Sequence, residues 1–144
     1  CSSDLNHRAR EKNIVFKLRP STQKTLVFLD CEAIHNCILN LVTNAFDSFN
    51  KIVTPNQIKN VNIFVQVENN NIVYRVQDNG CGINDTIKKS IFNNFITTKG
   101  MKGTGFGLMT TKKIIEEHDG EITFETKEEE GSLFVIKIPL KSKV

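Results

Sequence analysis

The chain has 144 residues, 39% hydrophobic and 24% charged, with a formal net charge of +3. This length can bury the core of one domain, and the composition is that of a soluble globular protein. Basic residues are scattered among acids, which argues against a nucleic-acid partner. No apolar run approaches the roughly 20 residues of a membrane span, which argues against membrane insertion of this segment.

The first predicted elements are two short strands and a long helix. Residues 13–18 and 26–29 favour β-structure on either side of a turn at Pro20, which predicts an opening strand pair. Asp30 is a predicted N-cap of a helix that runs to about Lys51. Its apolar face comprises Ile34, Ile38, Leu41, Ala45 and Phe49. That face is expected to pack against a sheet.

The remaining elements alternate between strands and helices without a regular βαβ order. They are strands at 61–67 and 71–77, a short helix at 85–90, a glycine-rich segment at 96–107, a helix at 108–118, and strands at 121–127 and 132–140. The pattern predicts an α/β fold, a two-layer sandwich in which helices cover one face of a mixed, mostly antiparallel sheet. The glycine-rich segment is expected to form a mobile lid.

The four cysteines, at positions 1, 31, 37 and 81, form no CxxC pair and no zinc-site spacing. They are expected to be reduced thiols of a cytoplasmic protein, with Cys37 in a helix core. The start at Cys1 lacks an initiator methionine and a signal-peptide pattern, so we expect a segment excised from a longer protein, whose membrane attachment stays open.

Three asparagines lie four residues apart in the long helix. Asn36, Asn40 and Asn44 therefore form a row along one side of it. An amide oxygen can ligate Mg²⁺, which takes few protein ligands when phosphates and waters complete its shell, and Asn44 alone would suffice. The alternative is an ordinary solvated helix face.

The sequence DNGCGI follows an apolar strand and begins with Asp78. Its carboxylate could accept a hydrogen bond from an exocyclic amine, and the two glycines permit close backbone approach to a ligand. The alternative is a common Asp-Asn-Gly turn.

Glycines at 103, 105 and 107 precede a helix, so backbone N–H groups there could hold phosphate oxygens. Lys99 and Lys102 add positive charge. The spacing matches neither the GxGxxG dinucleotide fingerprint nor a Walker P-loop, and a flexible linker is the alternative.

These elements, in this order, resemble the superfamily of gyrase, Hsp90, MutL and the histidine kinases. The chain carries an asparagine box, a DxGxG box, the phenylalanine box IFNNFITTK and a GTGFGL box, and the stretch up to KKIIEEHDGEITFET is especially similar to the catalytic ATP-binding domain of sensor histidine kinases. The resemblance implies the Bergerat ATP-binding fold. It implies a catalytic domain over 13–144, with 1–12 as a linker or the tail of a preceding helical dimerisation domain.

The resemblance also implies roles for individual residues. Asn44 would ligate Mg²⁺, Asp78 would bind the adenine amino group, and Gly80, Gly82 and Ile83 would shape the adenine pocket. Ser132 stands where the family usually has a supporting threonine. The lid over the phosphates would comprise Thr97, Thr98, Lys99, Lys102, Gly103, Thr104, Gly105, Phe106, Gly107 and Leu108, with Phe92 and Phe95 at its base.

Two positions depart from related enzymes. Asn40 stands where the hydrolases of the superfamily have a glutamate that activates water, and a neutral imidazole needs no such base to attack phosphorus. Asp47 stands among the nucleotide-binding positions where many histidine kinases have Lys or Arg, so Lys99 or Lys102 would neutralise the phosphates. Asn40, Asn44 and Lys99 are the expected catalytic residues.

The implied function is to present the γ-phosphoryl of ATP, with Mg²⁺, to a histidine in two-component signalling. His7, His35 and His118 lack the acid-flanked helical context of a phosphoacceptor. The expected partners are therefore the dimerisation and histidine-phosphotransfer domain of the same parent protein and the receiver domain of a response regulator. The alternatives are an ATPase of the gyrase, Hsp90 or MutL kind, a non-catalytic nucleotide-sensing module, and an anti-sigma-factor serine kinase.

Overall fold

A computed structural model describes residues 2–22, 29–51, 56–89, 91 and 105–140. The helices are α1 (Ser2–Glu11), α2 (Cys31–Asp47), α3 (Asp85–Lys88) and α4 (Gly105–Glu117), and the strands are β1 (Ile14–Arg19), β2 (Lys59–Glu68), β3 (Asn71–Asp78), β4 (Glu121–Lys127) and β5 (Gly131–Pro139). The described strands form one sheet in the order β1-β2-β3-β5-β4. The predicted α/β class with a mixed, mostly antiparallel sheet is confirmed.

Among the described strands, three of the four pairings are antiparallel. Both predicted hairpins are observed, since β2 pairs with β3 and β4 pairs with β5. Asn69 and Asn70, in the turn between β2 and β3, take positive φ angles. Of the opening strand pair, β1 is observed, whereas the prediction for 26–28 falls outside the described residues. The described partner of β1 is β2, which runs parallel to it. This pairing joins distant segments and left no local signal in the sequence.

α2 begins where the sequence predicts. The Asp30 carboxylate accepts a hydrogen bond of 3.0 Å from the backbone N–H of Ala33 and so caps the helix. The α-helix ends at Asp47, and the predicted extension to about Lys51 is a tighter 3-10 turn over Ser48–Lys51. Four of the five predicted apolar positions are buried, and the fifth, Ile38, packs against the same core.

α2 and α4 pack together on one face of the sheet. The side chains of Cys37, Val42 and Phe46 are fully buried, so the prediction for Cys37 is confirmed. Phe46 meets the β1 residue Phe16 edge-on, with ring centroids 5.6 Å apart. Leu5 of α1 is buried in the same core. Helices α1, α2 and α4 therefore share one hydrophobic interior with the sheet.

α4 begins at Gly105, three residues before the predicted start, and ends at a turn in which Asp119 takes a φ of 59°. His118 joins this end to the start of α2: its Nδ1 lies 2.8 Å from the Ile114 carbonyl, and its Nε2 accepts a 3.3 Å hydrogen bond from the backbone N–H of Asp30. Among the described helices, none is long and apolar enough to cross a membrane.

Candidate functional site

Asp78 ends β3 with its side chain in the protein interior, only 8% exposed. Its Oδ1 accepts hydrogen bonds from the backbone N–H of Gly80 at 2.9 Å and from Ser48 Oγ at 3.3 Å. The backbone of Ser132, which lies opposite on β5, also hydrogen-bonds this carboxyl group. Asp78 is therefore held by three hydrogen-bond donors: Ser48, which follows α2, Gly80 in the loop after β3, and Ser132 on β5.

Burial dominates the acid–base chemistry of Asp78. It raises the pKa of this carboxyl group from the ordinary value of 3.8 to about 6, and the three hydrogen bonds offset only part of that rise. Among the described residues, no lysine, arginine or histidine forms an ion pair with it. A buried carboxylate needs hydrogen-bond donors, and a neutral donor such as an exocyclic amine can be one of them.

The two glycines of the loop are required by contacts within the protein. A Cβ on Gly80 would overlap the Ser48 side chain. Gly82 has a φ of +67°, and a Cβ there would overlap the backbone of Lys127. The sequence predicts that these glycines admit a ligand, whereas the contacts observed are with α2's end and with the β4–β5 turn. Their effect on a pocket would come through the loop shape that they permit.

The loop is also held by hydroxyl groups of the neighbouring strands. The backbone N–H of Ile83 donates a 2.9 Å hydrogen bond to Thr126 Oγ1. The Thr126 and Ser132 hydroxyls lie 2.8 Å apart. On the other side, the Cys81 N–H donates to the Ser48 carbonyl oxygen at 3.2 Å. Ser132 thus acts together with Thr126, which the sequence reasoning missed along with Ser48.

The asparagine row of α2 is only partly exposed. Asn36 is exposed, but Asn40 and Asn44 are half-buried. Asn40 Nδ2 donates a 3.3 Å hydrogen bond to Oγ1 of Thr111, a fully buried residue of α4. Asn44 lies one turn further along, and its carbonyl oxygen accepts the backbone N–H of Ser48. For Asn40, the alternative of a merely solvated face is wrong.

Asp47, on the same helix, forms an ion pair that the sequence did not suggest. Its Oδ1 lies 3.7 Å from the Lys12 Nζ, in the connection between α1 and β1. Lys99 and Lys102, the predicted neutralising residues, lie outside the described part of the chain. Lys12 is thus a further cation near the predicted nucleotide-binding face.

The predicted lid is described only from Gly105 onwards. Thr97, Thr98, Lys99, Lys102, Gly103 and Thr104 lie outside the described residues, as do Phe92 and Phe95. Gly105, Phe106 and Gly107 form the first turn of α4, whose backbone N–H groups have no partner within the helix. Leu108 packs against the hydrophobic core. A helix N-terminus is thereby built from two predicted phosphate-binding glycines.

The described groups fit a nucleotide and a weakly coordinated Mg²⁺. Asp78 offers a buried acceptor for an amine, and the glycines allow a loop shape that larger residues would not. Among the described residues, no group of three His, Cys, Asp or Glu side chains could hold a metal. Mg²⁺ can take an amide oxygen such as that of Asn44 when phosphates and water complete its shell.

Comparison with known proteins gives one family. Residues 29–142 match the family described as histidine kinase-, DNA gyrase B- and HSP90-like ATPase. A probable C4-dicarboxylate sensor kinase of Halalkalibacterium halodurans is 35% identical over 102 residues, which are 71% of this chain and 19% of that protein. Sporulation kinase E of Bacillus subtilis is 31% identical over 140 residues, covering 95% of this chain and 18% of that protein. The chain thus spans about a fifth of the length of these curated relatives.

Solved structures agree in fold. The catalytic domain of histidine kinase ThkA, in a nucleotide-free form, matches with a TM-score of 0.75 and 31% identity, covering 96% of this chain and 88% of that one. Full-length ShkA in complex with AMPPNP matches with a TM-score of 0.82 over 99% of this chain and 29% of that one. At 19% identity, the second likeness concerns the fold alone.

Proposed function

Since this chain belongs to the histidine kinase-, DNA gyrase B- and HSP90-like ATPase family, we propose that it is the catalytic ATP-binding domain of a sensor histidine kinase. Its substrate would be ATP with Mg²⁺, and its products ADP and a phosphohistidine on another domain of the parent protein. The observation that carries the proposal is the buried Asp78 carboxyl, fixed by hydrogen bonds beside a glycine loop, on a chain whose relatives are named sensor kinases.

Each residue has a defined part in this proposal. Asp78, when ionised, accepts a hydrogen bond from the adenine amino group, and Gly80 and Gly82 keep the loop in the shape that this requires. Asn44 offers its amide oxygen to Mg²⁺, which when bound would neutralise phosphate charge. The N–H groups of the first turn of α4 would hold the phosphates, together with Thr97, Thr98, Lys99, Lys102, Gly103 and Thr104. Catalysis would then rest on positioning and charge stabilisation.

The choice of kinase over hydrolase depends on Asn40. An amide cannot accept a proton from water at neutral pH, so position 40 offers no general base. A neutral imidazole already carries the lone pair that attacks phosphorus. The hydrogen bond from Asn40 to Thr111 supports a positioning role instead, because it fixes the side chain between α2 and α4.

The partners follow from the same proposal. The phosphoacceptor would belong to the histidine-phosphotransfer domain of the parent, with 13–144 as the catalytic domain and 1–12 leading from the dimerisation helices. A response-regulator receiver domain would take the phosphoryl group next. Such a chain would work in the cytoplasm, where ATP is available.

Calorimetry with a non-hydrolysable ATP analogue tests the binding step. Wild-type protein should bind the analogue in a Mg²⁺-dependent manner, Asp78→Asn should lose most of the affinity, and Asn44→Ala should lose the Mg²⁺ dependence. Asn36→Ala, at the exposed start of the same row, is the matched control and should bind normally. Unchanged affinity in Asp78→Asn would contradict the adenine role.

Phosphoryl transfer needs a separate assay. The chain is incubated with labelled ATP and the dimerisation domain of its parent, and acid-labile label on that domain is measured beside free phosphate. We expect labelled histidine and little free phosphate. Steady phosphate release without transfer would favour the ATPase alternative, and binding with neither product would favour the nucleotide-sensing module.

A further inference from the structure

The α2 face that carries Asn40 and Asn44 also carries an acid. Asp47 follows Asn44 by three residues and Asn40 by seven, and these spacings place the three residues on one side of the helix. The Asp47 side chain is only 21% exposed, so solvent screens its charge incompletely. An uncompensated carboxylate here would repel a triphosphate bound along this face.

Lys12 faces this carboxylate from a distant part of the chain. The Lys12 Nζ lies 3.7 Å from Asp47 Oδ1, and the lysine side chain is 35% exposed. Lys12 immediately follows α1, which is anchored by Leu5 and Ala9 in the hydrophobic core. The packing of α1 thus brings a positive charge to the end of α2. A partly desolvated pair of this kind is screened less than one on the open surface.

We propose that Lys12 is a positioning residue for ATP: it neutralises Asp47 and thereby allows the phosphates to lie along α2. This inference rests on the proposed nucleotide site. It also makes nucleotide affinity depend on α1, because a displacement of α1 that moved Lys12 away would expose the phosphates to the Asp47 charge. The N-terminal helix would in this way influence a site formed by other elements.

The test compares ligands that share the base and differ in phosphate. The Mg²⁺-bound ATP analogue and adenosine are titrated into three variants: Lys12→Gln, the double variant Lys12→Gln/Asp47→Asn, and the control Lys17→Gln. Lys17 is an exposed lysine of β1. Lys12→Gln should bind the analogue about tenfold more weakly, because the Asp47 carboxylate then acts on the phosphates without the positive charge of Lys12. Its adenosine affinity should stay within about twofold, since adenosine is uncharged. The double variant should regain the analogue affinity, and Lys17→Gln should match wild type.

Salt provides a second measurement. Because added salt screens repulsion, the loss in Lys12→Gln should shrink as ionic strength rises. Equal losses for the analogue and adenosine would overturn the inference in favour of a purely structural ion pair, and so would a double variant that stays as weak as Lys12→Gln. Failure of the wild-type chain to bind the analogue would instead refute the proposed function itself.

Discussion

Replacing Asp78 by asparagine should stabilise the fold while it impairs the site. Burial raises the pKa of Asp78 from 3.8 to about 6, so the folded state holds this proton more tightly than the unfolded chain does. The contribution of the Asp78 carboxyl group to the free energy of unfolding is therefore most favourable below pH 3.8 and declines as pH rises to about 6. A difference of about two pKa units corresponds to about 3 kcal/mol at neutral pH. Asparagine removes this cost and can still accept the hydrogen bonds from Gly80 and Ser48.

Urea unfolding of wild type and Asp78→Asn at two pH values measures this difference. At pH near 7.5 the variant should be more stable by about 1–3 kcal/mol, the lower figure applying if its new N–H₂ group lacks an acceptor. At pH near 4.5 the advantage should fall by about 2 kcal/mol, because the wild-type carboxyl is then mostly protonated in the folded state. A variant that is less stable at both pH values, or whose advantage does not change with pH, would refute this reasoning.

Three further predictions concern the same loop. The affinity of the wild type for the ATP analogue should fall as pH drops through about 6, where Asp78 takes up a proton. Ser48→Ala should move the midpoint of this fall to higher pH, because the Ser48 hydroxyl lowers the Asp78 pKa. Calorimetry across pH checks both expectations. Thr126→Val should lower the free energy of unfolding in urea by about 1–3 kcal/mol and weaken binding of the analogue, because it leaves the Ile83 N–H without its acceptor. The control Thr123→Val, at an exposed position of the same strand, should change neither quantity. Gly82→Ala should lower the free energy of unfolding by more than about 1 kcal/mol because of its positive φ and the overlap with the Lys127 backbone; an unchanged urea midpoint would contradict this.

Much of the fold could be predicted because its signals are local. The 3.6-residue period of α2 and the alternation in β2 and β5 each lie within one segment, and the Asp30 cap lies within four residues of its partner. Asp78 was found because a carboxylate before two glycines is a motif in sequence. The parallel pairing of β1 with β2 was not found, because it joins distant segments without a turn between them.

The supporting residues could not be predicted for a related reason. Thr111 lies 71 positions from Asn40, Ser48 lies 30 from Asp78, and Thr126 lies 43 from Ile83, so only the folded chain brings each pair together. A single serine or threonine is also compatible with almost any surface. The acid at position 47 is visible in the sequence, but Lys12, the cation that pairs with it, lies in the connection after α1 and belongs to no motif.

These contacts converge on one helix. Asn40 links α2 to α4, whose first turn contains the predicted phosphate-binding glycines, and Asp47 links α2 to the connection that follows α1. Ser48, at the end of α2, contacts the Asp78 carboxyl and also accepts a hydrogen bond from the loop backbone. A shift of α2 relative to the sheet would therefore disturb the contacts of the proposed adenine loop, the proposed metal ligand Asn44 and the charge at Asp47 together. The contact of Asn40 with α4 and the contact of Ser48 with Asp78 can be perturbed separately. Thr111→Val, which removes the acceptor for Asn40, should weaken binding of the ATP analogue but leave the pH midpoint of binding, which Asp78 sets, unchanged. A shifted midpoint would show instead that α2 and the loop move as one unit.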